Sequence, residues 1–218
     1  METITLVGYH ATTLEKSKQI LKEGFQISKT TKDNLEWLGN GVYFWEDDYY
    51  AVQWNVIDIE KHNKNKNEQN LKYYSILKSI IKVNEIKIFE ISSPEGSIVF
   101  NELKNKLVDK FIQEGYEEWV KELLKRSSKF WINLLEENGF FDDFDVITAV
   151  YKNEKNFEKY KDDIVFNTQK QICVKNKACI IDTTVYDDQE RILNLFAIIK
   201  KKRGEKNEKG KKVIKESK

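Results

Sequence analysis

The 218-residue chain contains little cysteine and little histidine. Its two cysteines, Cys173 and Cys179, cannot build a disulfide framework or a zinc site, so we expect both to be buried small residues. Histidine occurs only at positions 10 and 62, which leaves too few ligands for a metal centre. No apolar run is long enough to span a bilayer, and the first residues lack the basic and apolar regions of a signal peptide. The sequence therefore predicts a cytoplasmic protein without a metal or a membrane partner.

Several enzyme signatures are missing as well. There is no glycine-rich phosphate loop, and Gly39-x-Gly41 lacks the third glycine and the strand–helix–strand context of a dinucleotide-binding fold. There is also no Gly-x-Ser-x-Gly elbow with which His10 could form a hydrolase triad. These absences argue against nucleoside triphosphatases, Rossmann dehydrogenases and α/β-hydrolases.

Charge is unevenly distributed along the chain. The whole sequence has a formal charge of +1, but residues 200–218 contain ten basic and three acidic side chains, which leaves the preceding residues net acidic. A basic run of this kind is typical of a solvated, disordered extension. The alternative is that its charge attracts nucleic acid. We therefore expect a single domain over residues 1–199, followed by a basic tail.

Hydrophobic periodicity predicts an α+β fold for this domain. Apolar residues at helical spacing in 98–138 indicate two or three helices inserted between strands. The runs 171–174 and 178–181 are interpreted as neighbouring strands, and 185–186 is expected to close the sheet. The remaining predicted strands are 3–9, 25–31, 42–45, 73–83, 86–91, 144–151 and 164–166. The remaining predicted helices are 14–23, one after Asp48, and one that Asp187 caps and that extends to 198 or 199.

Two short segments combine glycine, aromatic and hydroxyl residues. The first segment is Gly39-Asn40-Gly41-Val42-Tyr43-Phe44-Trp45, which predicts a tight turn followed by a strand. The acidic residues after this strand can cap a helix that carries Trp54. Alone, this pattern is typical of a β-turn entering a core strand. The second segment, Gly8-Tyr9-His10-Ala11-Thr12-Thr13, places His10 at the end of the first predicted strand. Together they favour a hypothesis in which Tyr43, on an edge strand, lies under a flat ligand ring.

The two segments, with a late strand, resemble the poly(ADP-ribose)-polymerase-like branch of the ADP-ribosyltransferases. The branch motif Tyr-His-Gly-Thr/Ser is matched by Tyr9-His10-Ala11-Thr12, and Gly-x-Gly-hydrophobic-Tyr-Phe is matched by Gly39 to Phe44. The branch opens a late strand with a catalytic Glu, where this chain has Gln171. Gln169-Lys170-Gln171 is similar to the Gln-x-Glu pattern of some members, so Gln169 is the competing choice. The resemblance implies a split, mixed or antiparallel sheet with flanking helices, whereas residues 98–138 have no counterpart.

The resemblance also implies a role for each matching residue. His10 would bind a hydroxyl of the adenosine ribose, and the backbone of Ala11 would bind the nicotinamide amide, with Thr12 completing the motif. Tyr43 would stack on nicotinamide, and Trp54 would be a second stacking aromatic. The hydroxyl residue that usually bonds the amide from the helix is replaced by Ala51.

Gln171 would occupy the catalytic position. An amide offers a dipole but no charge, so either the enzyme is slow, another acid such as Asp47 or Asp163 assists, or the acceptor is already nucleophilic.

The function implied by this resemblance is NAD-dependent mono-ADP-ribosyl transfer, with NAD as co-substrate and no metal. The acceptor could be RNA, DNA or protein, and the basic tail favours nucleic acid. A toxin or phage-defence effector, with an antitoxin or regulatory partner, is implied by the resemblance alone. The alternative is a catalytically inactive NAD-binding or protein-interaction module on the same fold. An RNA 2′-phosphotransferase would need further basic and histidine residues that the sequence lacks.

Overall fold

The computed structural model describes residues 2–31, 35–62, 68–152 and 168–201. Within these ranges the chain forms a seven-stranded mixed sheet with helices, which confirms the α+β prediction. The predicted strand 164–166, Asp163 and residues 202–218 of the tail lie outside the described residues. The strands are β1 Thr3–Thr13, β2 Val42–Trp45, β3 Tyr74–Asn84, β4 Ile88–Glu90, β5 Val146–Lys152, β6 Thr168–Val174 and β7 Ile180–Val185. The helices are α1 Leu14–Glu23, α2 Asp48–His62, α3 Pro94–Gln113, α4 Glu117–Leu123, α5 Ser128–Glu137 and α6 189–201.

The strand order is β4-β5-β6-β2-β1-β3-β7, and only β4 and β5 run parallel. The sheet consists of two halves, β4-β5-β6-β2 and β1-β3-β7. They are joined weakly, because β1 and β2 share the single register pair Tyr9–Trp45. At this junction a Cβ on Gly8 would come within 2.7 Å of the Phe44 Cβ, so only glycine lets the Phe44 side chain pack so closely on β1.

One core cluster joins the two halves of the sheet. Phe44 and Ile172 come from one half and Leu77 and Ile81 from the other, and all four are buried together. A second cluster packs α3, α4 and α5 on β5 and β6, and a third packs α2 and α6 on β3. This cluster therefore bridges the β1–β2 junction, where the sheet itself has a single register pair.

Helices α3 to α5 occupy the predicted helical block and form the connection between β4 and β5. Parallel neighbours cannot be joined by a hairpin, so a crossover of this kind is required. The block therefore connects two paired strands of the sheet. Its apolar faces bury Trp131 and Leu135 in the same cluster as Ile147.

Four local predictions were wrong. His10 is not at a strand end, because pairing with β3 extends β1 to Thr13. Tyr43 is not on an edge strand, since β2 lies between β6 and β1. The run 25–31 forms only the isolated bridge Ser28–Gly41. The side chain that accepts the Arg191 N–H at the start of α6 is Asp188, not Asp187.

The runs 171–174 and 178–181 are not neighbouring strands. β6 pairs with β5 and β2, whereas β7 pairs with β3 at the opposite edge. The short turn Lys177–Cys179 can join them because Val174 and Cys179 lie in the cluster where the two halves are packed together. The expectation that both cysteines are buried is confirmed, and both are free thiols. Among the described helices, none is sufficiently long and apolar to cross a membrane.

Candidate functional site

A cleft of about 610 Å³ lies beside the β1–β2 junction. This volume is within the range of small-molecule and cofactor sites. Six of the seven residues that the sequence motifs single out line the cleft: His10, Ala11, Thr12, Tyr43, Trp54 and Gln171. The chain brings them there from β1, β2, α2 and β6, so the cleft depends on the pairing of strands that are far apart in sequence.

His10 is held in a defined orientation inside β1. Its Nδ1 lies 2.8 Å from the backbone carbonyl of Tyr43, and the carbonyl can only accept, so Nδ1 carries the proton. The rings of Phe25 and Phe44 meet the imidazole edge-on at 5.2 and 5.9 Å. Burial among these rings lowers the pKa of His10, whereas its bond to the Tyr43 carbonyl acts in the opposite direction. The neutral ring therefore keeps Nε2 as an acceptor for a ligand hydroxyl.

Tyr43 is fixed through its hydroxyl group. The hydroxyl donates to the Gly39 carbonyl at 2.6 Å and accepts the Leu38 N–H at 2.8 Å. Burial raises the pKa of this hydroxyl far above its ordinary value, with a contribution from the nearby Cys173. The group therefore stays protonated and engaged with the turn, so Tyr43 can offer the cleft its ring but no acid or base.

Three tryptophans line the same cleft. Trp54 on α2 and Trp45 on β2 have ring centroids 6.4 Å apart, and Trp54 is 48% exposed. Trp37 in the preceding loop is 47% exposed. Aromatic faces attract a planar cation by about 0.5–2 kcal/mol each. The sequence motifs pointed to Trp54; they gave no role to Trp45 or Trp37, whose position depends on the tertiary fold.

The backbone around Ala11 has one open side. β3 pairs with β1 as far as Thr13, but the β2 side of β1 has no register pair beyond Tyr9 in the described sheet. Backbone groups on that side of Ala11 can therefore face the cleft. Ala51 is fully buried in the cluster beneath α2 and is not a lining residue, so the cleft does not depend on a hydroxyl at that position.

Gln171 lies on β6 opposite Trp45 and Ala149. The residue is only 8% exposed, and its Oε1 has no hydrogen-bond partner among the described residues. A buried acceptor left unpaired costs about 1–3 kcal/mol, so this amide is suited to a ligand that supplies the missing bond. Gln169 pairs instead with Tyr151 and does not line the cleft, which places Gln171 rather than Gln169 beside Tyr43 and Trp45.

The cleft contains acidic side chains that the motifs missed. Asp47 does not line the cleft. Its carboxylate accepts the Tyr49 N–H at 2.7 Å at the start of α2. Glu36 and Asp58 do line the cleft. Asp58 accepts the Tyr74 hydroxyl at 2.9 Å, and the pKa of that hydroxyl is raised to about 12 by burial and by this bond. No local sequence signal identifies Glu36, since loop 24–41 brings it to the cleft.

The chain is similar to the uncharacterized protein MJ0359 of Methanocaldococcus jannaschii. The two are 27% identical over an alignment that covers 91% of this chain and 94% of that protein. No protein-family model and no solved structure matches the chain. The similarity therefore extends over nearly the whole length of both proteins.

Proposed function

We propose that the protein is an NAD-dependent mono-ADP-ribosyltransferase with an ADP-ribosyltransferase-like fold. The observation that carries the proposal is the convergence of His10, Tyr43, Trp54 and Gln171 on one cleft. These residues come from segments up to 161 positions apart, so the fold and not their spacing in the chain brings them together.

The geometry suits a dinucleotide with a cationic ring. Tyr43 and the tryptophans would bind the positive nicotinamide by ring contact, and the open side of β1 near Ala11 would bind its amide. The neutral His10 would accept a hydrogen bond from a ribose hydroxyl through Nε2. Gln171 would direct its amide at the ribose.

In the transfer itself, the bond between C1 of the ribose and the nicotinamide nitrogen breaks, and nicotinamide leaves with the electron pair. The acceptor atom then bonds to C1 and loses its proton to solvent. Positive charge develops on the ribose during this step, as in glycoside cleavage.

Replacement of either key residue tests the proposal. We expect His10→Ala to remove the hydroxyl acceptor and Tyr43→Ala to remove the stacking ring, so each should abolish NAD-dependent labelling. The measurement is mass spectrometry of NAD incubated with the protein and with RNA, DNA and protein from a bacterial lysate. Tyr116→Ala, an exposed tyrosine on the helical block, is the matched control. Unchanged labelling in both cleft variants, with circular dichroism like that of the wild type, would reject the site.

The acceptor is proposed to be nucleic acid rather than protein, because residues 200–218 are strongly basic. A toxin or phage-defence role, with an antitoxin or other regulatory partner, and a cytoplasmic location belong to the same proposal. The toxin or defence role derives from the family resemblance, whereas the location derives from the lack of a signal-peptide pattern and of a long apolar run in the sequence.

A second candidate is a catalytically inactive NAD-binding or protein-interaction module. The observation that favours it is the amide of Gln171 where the family carries a carboxylate. In that case the same incubation would leave NAD intact, while NAD would still quench the fluorescence of the cleft tryptophans. Free nicotinamide together with an ADP-ribosylated product excludes this candidate.

A further inference from the structure

A carboxylate lines the same cleft as the neutral Gln171. Glu36 lines the cleft together with Tyr43, Trp37 and Gln171 and is half-buried. Its charge contributes to the raised pKa of the Tyr43 hydroxyl, although burial is the larger cause, which is consistent with a carboxylate close to that ring.

The position of Glu36 is fixed by three contacts. The Ser28 hydroxyl donates to Oε1 of the carboxylate, and the Glu36 N–H donates to Thr30 Oγ1 at 3.3 Å. The Glu36 carbonyl accepts the side-chain amide of Asn133 on α5 at 2.7 Å. Ser28 is itself paired to Gly41 through two backbone bonds of 2.9 and 3.0 Å, so the loop is held against the start of β2.

This arrangement leaves one carboxylate oxygen available. Oε2 of Glu36 has no hydrogen-bond partner among the residues that the structure describes, whereas the other cleft acid, Asp58, is bonded by Tyr74. A fixed anion in a partly desolvated cleft stabilises developing positive charge far better than an exposed one.

We infer that Glu36 is a catalytic residue that supplies the negative charge which Gln171 lacks; this inference rests on the proposed function. As the bond between the ribose C1 and nicotinamide breaks, the leaving nicotinamide takes the electron pair and C1 becomes cationic. Oε2 of Glu36 stabilises that cation until the acceptor atom bonds to C1 and releases its proton. No electron donor or further reactant is needed.

The test compares isosteric variants. Glu36→Gln retains an acceptor for the Ser28 hydroxyl but removes the charge, so we expect kcat for nicotinamide release to fall about 10²–10³-fold with little change in the KM for NAD. Glu137→Gln is the matched control, because it makes the same change of charge at an exposed position on α5 that does not line the cleft. Adding Gln171→Glu to Glu36→Gln returns a carboxylate to the cleft and should recover at least tenfold of the lost rate. Circular dichroism and tryptophan quenching by NAD check folding and binding in each variant.

The outcomes separate the two ideas. If the wild type releases nicotinamide and Glu36→Gln does so equally fast, the assignment of Glu36 is wrong while the proposed function stands. If Glu36→Gln is slow only because its KM has risen, Glu36 binds NAD without acting on the bond cleavage, which also overturns the inference. If the wild type releases no nicotinamide with any acceptor, the proposed function fails and the assignment of Glu36 fails with it.

Discussion

At the scale of single residues, the cleft depends on hydrogen bonds that fix protonation. The Tyr43 carbonyl assigns the proton of His10 to Nδ1, and the Gly39 carbonyl holds the hydroxyl of Tyr43. Each ring is therefore presented in one orientation and one charge state. The buried Oε1 of Gln171, which has no partner in the described part of the chain, is the exception, and it marks where the cleft can still gain a bond.

The titration of His10 is a direct check on this arrangement. Burial lowers its pKa below the ordinary 6.5, with a smaller contribution in the same direction from Lys16. The unfolded chain takes up a proton near 6.5 and the native chain only at lower pH, so native stability should fall as pH drops below about 6.5. NMR of the imidazole resonances should give a midpoint below 6.5 for His10, with His62→Gln identifying the second signal. A midpoint at or above 6.5 would contradict the buried, neutral imidazole.

At the scale of elements, the helical block supports the turn that carries Tyr43. Glu136 on α5 accepts the Asn40 N–H at 2.6 Å and forms an ion pair with Lys175, which also donates to the Asn40 carbonyl at 3.2 Å. A Cβ on Gly39 would displace the Glu136 carboxylate from this contact, and the φ of 78° at this position independently favours glycine. Helix α5 thus holds the turn that precedes β2 and Tyr43.

Replacing Glu136 should therefore affect both stability and activity. The side chains of Glu136 and Lys175 are 13% and 12% exposed, and removing one partner of a buried pair costs about 3–5 kcal/mol. We expect Glu136→Ala to lower the free energy of unfolding by an amount of this order, measured by urea denaturation, and to slow nicotinamide release because the Tyr43 turn is loosened. Glu137→Ala, on the exposed side of the same helix, is the control. Equal stability of the two variants would show that the pair does not support the turn.

At the scale of the whole molecule, the basic tail and the domain that precedes it carry net charges of opposite sign. The tail begins within α6, which packs Phe196 and Ile199 against α2 and β3. Residues 202–218 follow the last described residue of α6, so a truncation after residue 201 retains every described residue of this cluster.

Removing residues 202–218 tests the nucleic-acid preference. If the tail binds phosphates, it should make modification of RNA or DNA strongly salt-dependent. The truncated protein should then modify nucleic acid more weakly at low salt, and its difference from the full chain should shrink as salt rises. Nicotinamide release without an acceptor should be unchanged. A full-length chain with a Ser-Gly tail is the control, and equal salt dependence in the full and truncated chains would remove the preference for nucleic acid.

The sequence by itself determined most of the elements and the local segments of the cleft. The aromatic run of β2, the helix at 14–23 and the periodicity of α3 to α5 could be predicted, because each depends on residues a few positions apart. Only the tertiary structure decided that β6 and β7 lie apart, since both pair with strands distant in the chain. The same holds for Glu36, which is fixed by Asn133 across 97 positions. Local patterns specify local geometry, whereas a contact across the sheet depends on how the whole chain packs.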